Sequence, residues 1–406
     1  MATEKIDIMR DAHEFVNSVT KEMLGSEVIV EENLGNITDI GRQITNIDPT
    51  LEMFASKLLA RIAKYTYVDR VYSGFAPNVR RDAWEWGCIL AKIQVDMPDA
   101  DINEDWTLEN GTSYDPNVFN GAEGEIKVYN KYVTFMVNRS IQGYQLKAAF
   151  NSAAEMAGFI STIMTQIKNS LTIKEDGLVM SLFQTLIIDT LHSEDTSDTD
   201  SYFQTHTGTK VRNLLKEYND LLPAGATALT VDTALKDAEF IRFANNEIML
   251  ASEHLTAFNN IYNIEGKSRF TSKENQRLVL LADYAAAAKS YLYSDTYNKE
   301  FVQLGSFDVV PYWEGIKKTS DKFDFESVST VAAKTSTVTG GRTQSGVIGV
   351  LYDANAIGVF AEYDKVESQY NPVASFTNYW FKRKAGYFCQ EDEQAIVFII
   401  DAASAS

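Results

Sequence analysis

The 406-residue sequence predicts an α+β protein in which a long helix separates an early strand-rich block from later mixed and strand-rich ones. Three observations carry that prediction. Met156, Phe159, Ile160, Ile163, Met164, Ile167 and Leu171 recur at spacings of three and four, a continuous helical stripe. Residues 84–95 (WEWGCILAKIQV) and 125–137 (EIKVYNKYVTFMV), which precede it, are rich in strand formers. Residues 346–352 (GVIGVLY), 376–382 (FTNYWFK) and 395–400 (AIVFII) supply strands near the other end.

The elements follow in chain order. Residues 1–64 read as a helical tail. Ile6, Met9, Phe15, Val16, Val19 and Met23 form an imperfect apolar stripe, and Leu51, Phe54, Leu58, Leu59 and Ile62 a better one. Between them Gly35, Gly41 and Pro49 break any period. Two short amphipathic helices on a loose connector make an arm that lies on something else. Residues 84–95 and 125–137 then predict the two strands of a long hairpin. Its tip, 96–125, carries nine acidic residues and no Lys or Arg. An isolated hairpin is marginal in water, so this one is expected to rest on a neighbouring surface.

Ser152 and Glu155 make a capping box at the start of the long helix. A polar interruption at 174–177 is followed by a resumed stripe, Leu178, Val179, Leu182, Phe183, Leu186 and Ile187. Residues 192–202 (HSEDTSDTDSY) read as a solvated acidic loop. Asp232 is expected to cap a helix running through Ala238, Ile241 and Phe243. Residues 277–282 read as a buried strand, an Ala-rich helix starts near Tyr284, and 307–312 is a further strand. Residues 319–343 are rich in Ser, Thr and Lys, as a surface loop or edge hairpin would be.

Composition narrows the function. Lys and Arg total 37 against 56 Asp and Glu, a net charge of -19. A chain this acidic repels phosphate and lacks the basic stripe of a nucleic-acid reader. The start of the chain has no signal-peptide pattern, and no apolar run approaches the ~18 residues of a membrane span. The expected setting is the cytosol, or a particle assembled there. Cys88 and Cys389 are far apart and read as free thiols.

Catalytic patterns are missing from the sequence. His13, His192, His206 and His254 are scattered, with no His-Glu-x-x-His pair. Residues 340–346 (GGRTQSG) lack the Gly-Lys-Ser/Thr of a phosphate loop and read as a turn. The acidic runs at 96–125 and 193–200 lack the ligand ladder of a calcium loop. Residues 378–388 (NYWFKRKAGYF) pair aromatic with basic side chains, as a base-stacking surface would. The favoured assignment is a core strand whose Lys382, Arg383 and Lys384 face solvent or a partner's carboxylates. We therefore expect a structural protein and not an enzyme, with no catalytic, cofactor-binding or metal-binding residues assigned and no cofactor.

The order of elements resembles the Hong Kong phage fold of tailed-bacteriophage major capsid proteins. Local wording is similar too: 84–93, 144–150 (YQLKAAF), 270–284 (FTSKENQRLVLLADY), 297–315, 346–359 and 376–400. The resemblance implies an N-terminal arm over 1–64 and an extended β-hairpin loop over 80–138. It implies a peripheral domain with a long spine helix over 139–192 and 371–403, and an axial domain over 193–370. It further implies self-association into pentamers and hexamers, an icosahedral head shell enclosing double-stranded DNA without sequence-specific binding, and no membrane. Residence in the virion follows, after assembly in the host cytoplasm. A hairpin starting near residue 80 leaves no room for a fused scaffold, so a separate scaffolding protein is expected, or a scaffold function for the short arm. Portal protein and decoration or minor capsid proteins are further partners. Lys92, Lys127 and Lys131 flank the hairpin, but no cross-linking motif accompanies them. An encapsulin-like compartment shell and another virion structural protein are the alternatives.

Overall fold

The computed structural model describes residues 16, 17, 19–21, 36, 38–40, 75–81, 90–95, 107–113, 117, 121, 124–142, 153–199, 201–294, 307–314, 324–373 and 376–402. Most of the expected arm, residues 84–89 of the first predicted strand, most of the hairpin tip and the capping residue Ser152 lie outside them. Within the arm, Val16, Val19 and Ile40 are buried against the chain itself.

The expected long hairpin is two structures in sequence. Strand β1 (Leu90–Val95) pairs antiparallel with β2 (Gly124–Tyr129). After Asn130 and Lys131 the chain enters β3 (Tyr132–Gln142), which leaves β1 behind and pairs with a strand from the far end of the sequence. The run 125–137 that read as one strand is therefore split between two sheets.

The long helix, α1 (Ala153–Glu194), has 42 residues and runs ~63 Å at 1.5 Å per residue. It does not break at 174–177. Lys174 and Gly177 face water, but Glu175 and Asp176 are buried, so the polar interruption is an inward-facing ionic site within a continuous helix. Ile163 and Ile167 are buried while Gln166 is exposed, as the stripe requires. From Val179 to Leu191 burial extends almost all round the helix, the pattern of a helix covered on several sides.

Seventeen residues after Glu194 the chain reaches β4 (Val211–Asn213), then α2 (Leu214–Leu221) and α3 (Ala238–His254). Asn213 caps α2 by accepting from the Lys216 N–H, and Asp237 caps α3 by accepting from the Phe240 N–H. The expected cap, Asp232, instead lies in the separate short helix Val231–Ala234. Strand β5 (Gln276–Leu281), helix α4 (Ala282–Ser294) and strand β6 (Phe307–Val310) follow near their predicted places. Within 324–344 the chain forms a short helix and the pair β7 (Val331–Ala333) and β8 (Arg342–Gln344). Val331, Arg342 and Gln344 are buried, so this stretch is less superficial than its composition suggested.

The last four strands are β9 (Val347–Asp353), β10 (Ile357–Asn371), β11 (Phe376–Cys389) and β12 (Ala395–Ile399). They divide between two sheets. One has the order β10-β11-β3, and the other the order β4-β12-β9-β5-β6. Residues 371–403, grouped together in the expected peripheral domain, thus contribute strands to both sheets. Burial shows why: β11 alternates buried and half-buried positions, a strand with one covered face, whereas all of β12 is buried. An unbroken apolar run such as AIVFI belongs in the middle of a sheet covered on both sides.

Both covers are present. Ala395, Val397 and Ile399 face a core shared with Val179, Phe183, Ile187 and Trp313. Ile396, Phe398 and Ile400 face the opposite core, with Leu215, Phe240, Ile248 and Tyr284 from α2, α3 and α4. Burying one such side chain is worth ~1.5–3 kcal/mol. Helix α1 lies against both sheets, touching β3, β10 and β11 as well as β4, β7 and β12. In the β10-β11 ladder Gly358 stands opposite Phe388 and Phe360 opposite Gly386, each ring lying where a Cβ on the glycine would be.

Candidate functional site

Among the described residues no three His, Cys, Asp or Glu side chains are placed to hold a metal ion. Among the same residues no helix is long and apolar enough to cross a membrane. The histidines are separate. His192 Nδ1 lies 2.8 Å from Asp198, His206 stacks on Tyr202 at 4.2 Å, and His254 Nδ1 is 3.4 Å from the Tyr262 hydroxyl. His13 and Cys88 lie outside the described residues. Cys389 is a free thiol whose burial pushes its pKa up, the opposite of a nucleophile's environment.

The basic triplet in β11 is engaged within its own chain. Lys382 pairs with Glu367, whose carboxyl is held down to about 2 by hydrogen bonds from Lys365 and Lys382. Lys384 stands 4.0 Å over the Tyr132 ring. Arg383, expected to face outward, is buried and donates to Glu175 at 2.7 Å. Arg80 reaches the other oxygen of the same carboxylate. Two guanidiniums thus share Glu175, and that is the physical reason a helix tolerates buried acid there. Arg80 belongs to residues 75–81, which bind along the start of β10: Arg81 N–H donates to Val359 O at 2.9 Å, and Val359 N–H to Val79 O at 3.1 Å.

The loop expected to be solvated, 193–200, is organised around another buried arginine. Arg342 donates to Asp195 Oδ2 at 3.0 Å and to the Asp195 carbonyl at 3.0 Å, and lies 5.3 Å from the Phe203 ring. Burial alone would raise the Asp195 pKa. Hydrogen bonds from Ser197 and Thr199 and the Arg342 charge outweigh it, and the carboxyl is held low. Sequence order hid this site because Arg342 is 147 residues from Asp195.

The β1-β2 ribbon is the feature with functional character. Its cross-strand register places Lys92 directly opposite Lys127, a like-charge pair that is unfavourable alone. Both reach into the turn before β12. Lys92 donates to Asp392 at 2.9 Å, Glu393 at 2.5 Å and Gln390 at 2.6 Å, while Lys127 donates to Glu265 at 2.5 Å. Lys267 pairs with Glu125, and Arg269 donates to Asp392 at 3.3 Å. Tyr129 adds a ring contact to Phe388 at 5.5 Å. On the other face of β2, Ile126 is 64% exposed and Val128 54%, and Tyr132 and Met136 on β3 are also exposed. The ribbon therefore turns Lys92 and Lys127 toward its own chain and Ile126 and Val128 away from it. That inverts the usual amphipathic order, and exposed apolar rows of this kind mark protein contacts.

Residues 16–399 match the family model described as Phi29-like phage major capsid protein. No curated protein sequence matches the chain. Among solved structures, the chain is similar to one in the capsid structure of Staphylococcus phage Andhra, at 8% identity and a TM-score of 0.47, covering 81% of this chain and 85% of that one. A chain in the structure of the head fiber and inner core protein gp22 of native bacteriophage P68 gives 11% identity and a TM-score of 0.47, covering 81% and 86%. One in the capsid structure of the Cyanophage P-SCSP1u gives 12% identity and a TM-score of 0.44, covering 82% and 91%.

Proposed function

The chain belongs to the Phi29-like phage major capsid protein family, and from that premise we propose that its copies close an icosahedral head shell around phage double-stranded DNA. The match over 16–399 carries the proposal, since it takes in nearly every element of the fold. The ribbon's outward apolar face supports it, because a lone soluble subunit gains nothing from Ile126 and Val128 in water.

Within this proposal the fold is of the Hong Kong phage type. Residues 1–64 form the arm, the ribbon region of 80–138 the extended loop, and α1 the spine. Helix α1 with β3, β10 and β11 makes the peripheral part, and the five-stranded sheet with α2, α3 and α4 the axial part, so β12 moves to the latter. Assembly takes place in the host cytoplasm with a separate scaffolding protein, and a portal occupies one vertex. The net charge of -19 suits a container whose DNA must leave without adhering. Heterologous contacts that close by symmetry give rings, and rings of five and six give a shell.

Negative-stain microscopy of the chain co-expressed with its scaffolding protein tests the proposal. Closed particles or tubes are expected, and irregular shells or capsomers from the chain alone. A monomer under every condition, scaffold present, would end it.

A further inference from the structure

Among the described residues, the side-chain contacts of the β1-β2 ribbon with its own chain are mostly ionic, and they converge on one residue. Asp392 is fully buried, yet its partners come from three places: Lys92 on β1, Lys127 on β2 at 3.7 Å, and Arg269 on the segment between α3 and β5. Around it stand Glu125 on β2, Glu265 and Lys267 on that same segment, and Glu391 and Glu393 beside it. Burial by itself would raise the Asp392 pKa. The hydrogen bond and charge of Lys92, with Lys127 and Arg269, prevail and hold it low, so the group stays ionised.

Two details argue that this arrangement is built for release. Asp392 Oδ1 and Arg269 Nε are both buried without a hydrogen-bond partner, so the network is incompletely satisfied. The ribbon also brings its own opposing force, because Lys92 and Lys127 face each other across the ladder, a repulsion that the acids beneath offset. A ribbon meant to be permanently fixed would turn Ile126 and Val128 toward the body. Here those side chains point away.

We propose that the Asp392 cluster is a releasable electrostatic latch, setting the angle of the β1-β2 ribbon on its own subunit through Lys92 and Lys127. The latch concerns charges within one chain. It stands or falls independently of whether the particle closes.

Hydrogen exchange on the full-length chain, kept unassembled in dilute solution, tests it. The amides of 90–95 and 124–129 report the ribbon, and those of 395–399 report the central sheet. In Asp392→Asn, ribbon exchange should rise on the order of tenfold or more, because Lys92 and Lys127 lose their shared anion, while β12 is unchanged. If Asp392→Asn fails to fold, Lys92→Met with Lys127→Met, altered on the ribbon alone, gives the same reading. Lys127→Glu should loosen the ribbon, and Glu265→Lys added to it should restore protection. Unchanged ribbon exchange in the folded variants, or an equal rise in 395–399, overturns the latch.

Discussion

Arg383 on β11 donates to Glu175 on α1 at 2.7 Å, joining positions 208 residues apart in a buried ion pair. Arg80 takes the second oxygen. Removing the acid takes its Glu175 partner from a buried guanidinium. Glu175→Ala should therefore cost ~3–5 kcal/mol, whereas Glu175→Leu with Arg383→Leu, which removes both charges, should cost far less. Chemical denaturation of the single and double variants measures the coupling. Additive losses would mean that the pair is not the link between helix and sheet.

Ile163 is buried and Gln166 exposed on the same helix. Ile163→Asp places an unpaired carboxylate in the core at a cost of several kcal/mol, against an ordinary total stability of roughly 5–15 kcal/mol. Gln166→Asp should lose less than ~1 kcal/mol. Soluble yield and melting temperature of the two variants check this.

The ribbon's outer face separates folding from assembly. Ile126→Lys with Val128→Lys replaces two exposed side chains, so subunit stability should stay within ~0.5 kcal/mol. Particle yield with scaffolding protein should nevertheless collapse. Normal particles would show that this face has no partner.

Asp401 gives a pH signature. Burial raises its carboxyl from 3.8 to about 6, against the lowering effect of the Gln344 hydrogen bond at 2.9 Å. A carboxyl whose folded pKa lies above its unfolded one stabilises the fold at low pH. That contribution is full below pH ~4 and is lost as pH rises through ~6. Asp401→Asn keeps an acceptor for Gln344 and removes the charge. It should gain ~2 kcal/mol at pH 7.5 and almost nothing at pH 4. Melting curves at the two pH values decide it.

The sequence disclosed those parts of the fold whose cause is local. The helical stripe through Ile163 and Ile167, the strand 276–281 and the strand 395–399 all follow from side-chain periodicity. What it concealed depends on distant partners. Glu175 read as a break because Arg383 and Arg80 cannot be paired with it by spacing, and Asp195 read as solvated for want of Arg342. Strand β10 went unread because IGVFAEYDKVESQYN mixes apolar and charged residues, and its glycine depends on the ring of Phe388 opposite. The ribbon itself was legible, but its inverted polarity was not, since Asp392, Glu265 and Lys267 come from the far side of the chain.

Strand β12 lies between β4 and β9, although it follows every other strand of that sheet in the chain. A ribosome therefore emits β4, β5, β6 and β9 before the strand that joins them exists. Until Ala395–Ile399 emerges, three-residue β4 has no sheet to enter and β9 keeps a bare hydrogen-bonding edge. Such an edge is a template for pairing with another nascent chain. The topology makes the subunit's central sheet an all-or-none product of translation: truncated chains ending before residue 395 should be insoluble, and no half-made subunit can be incorporated as a whole one.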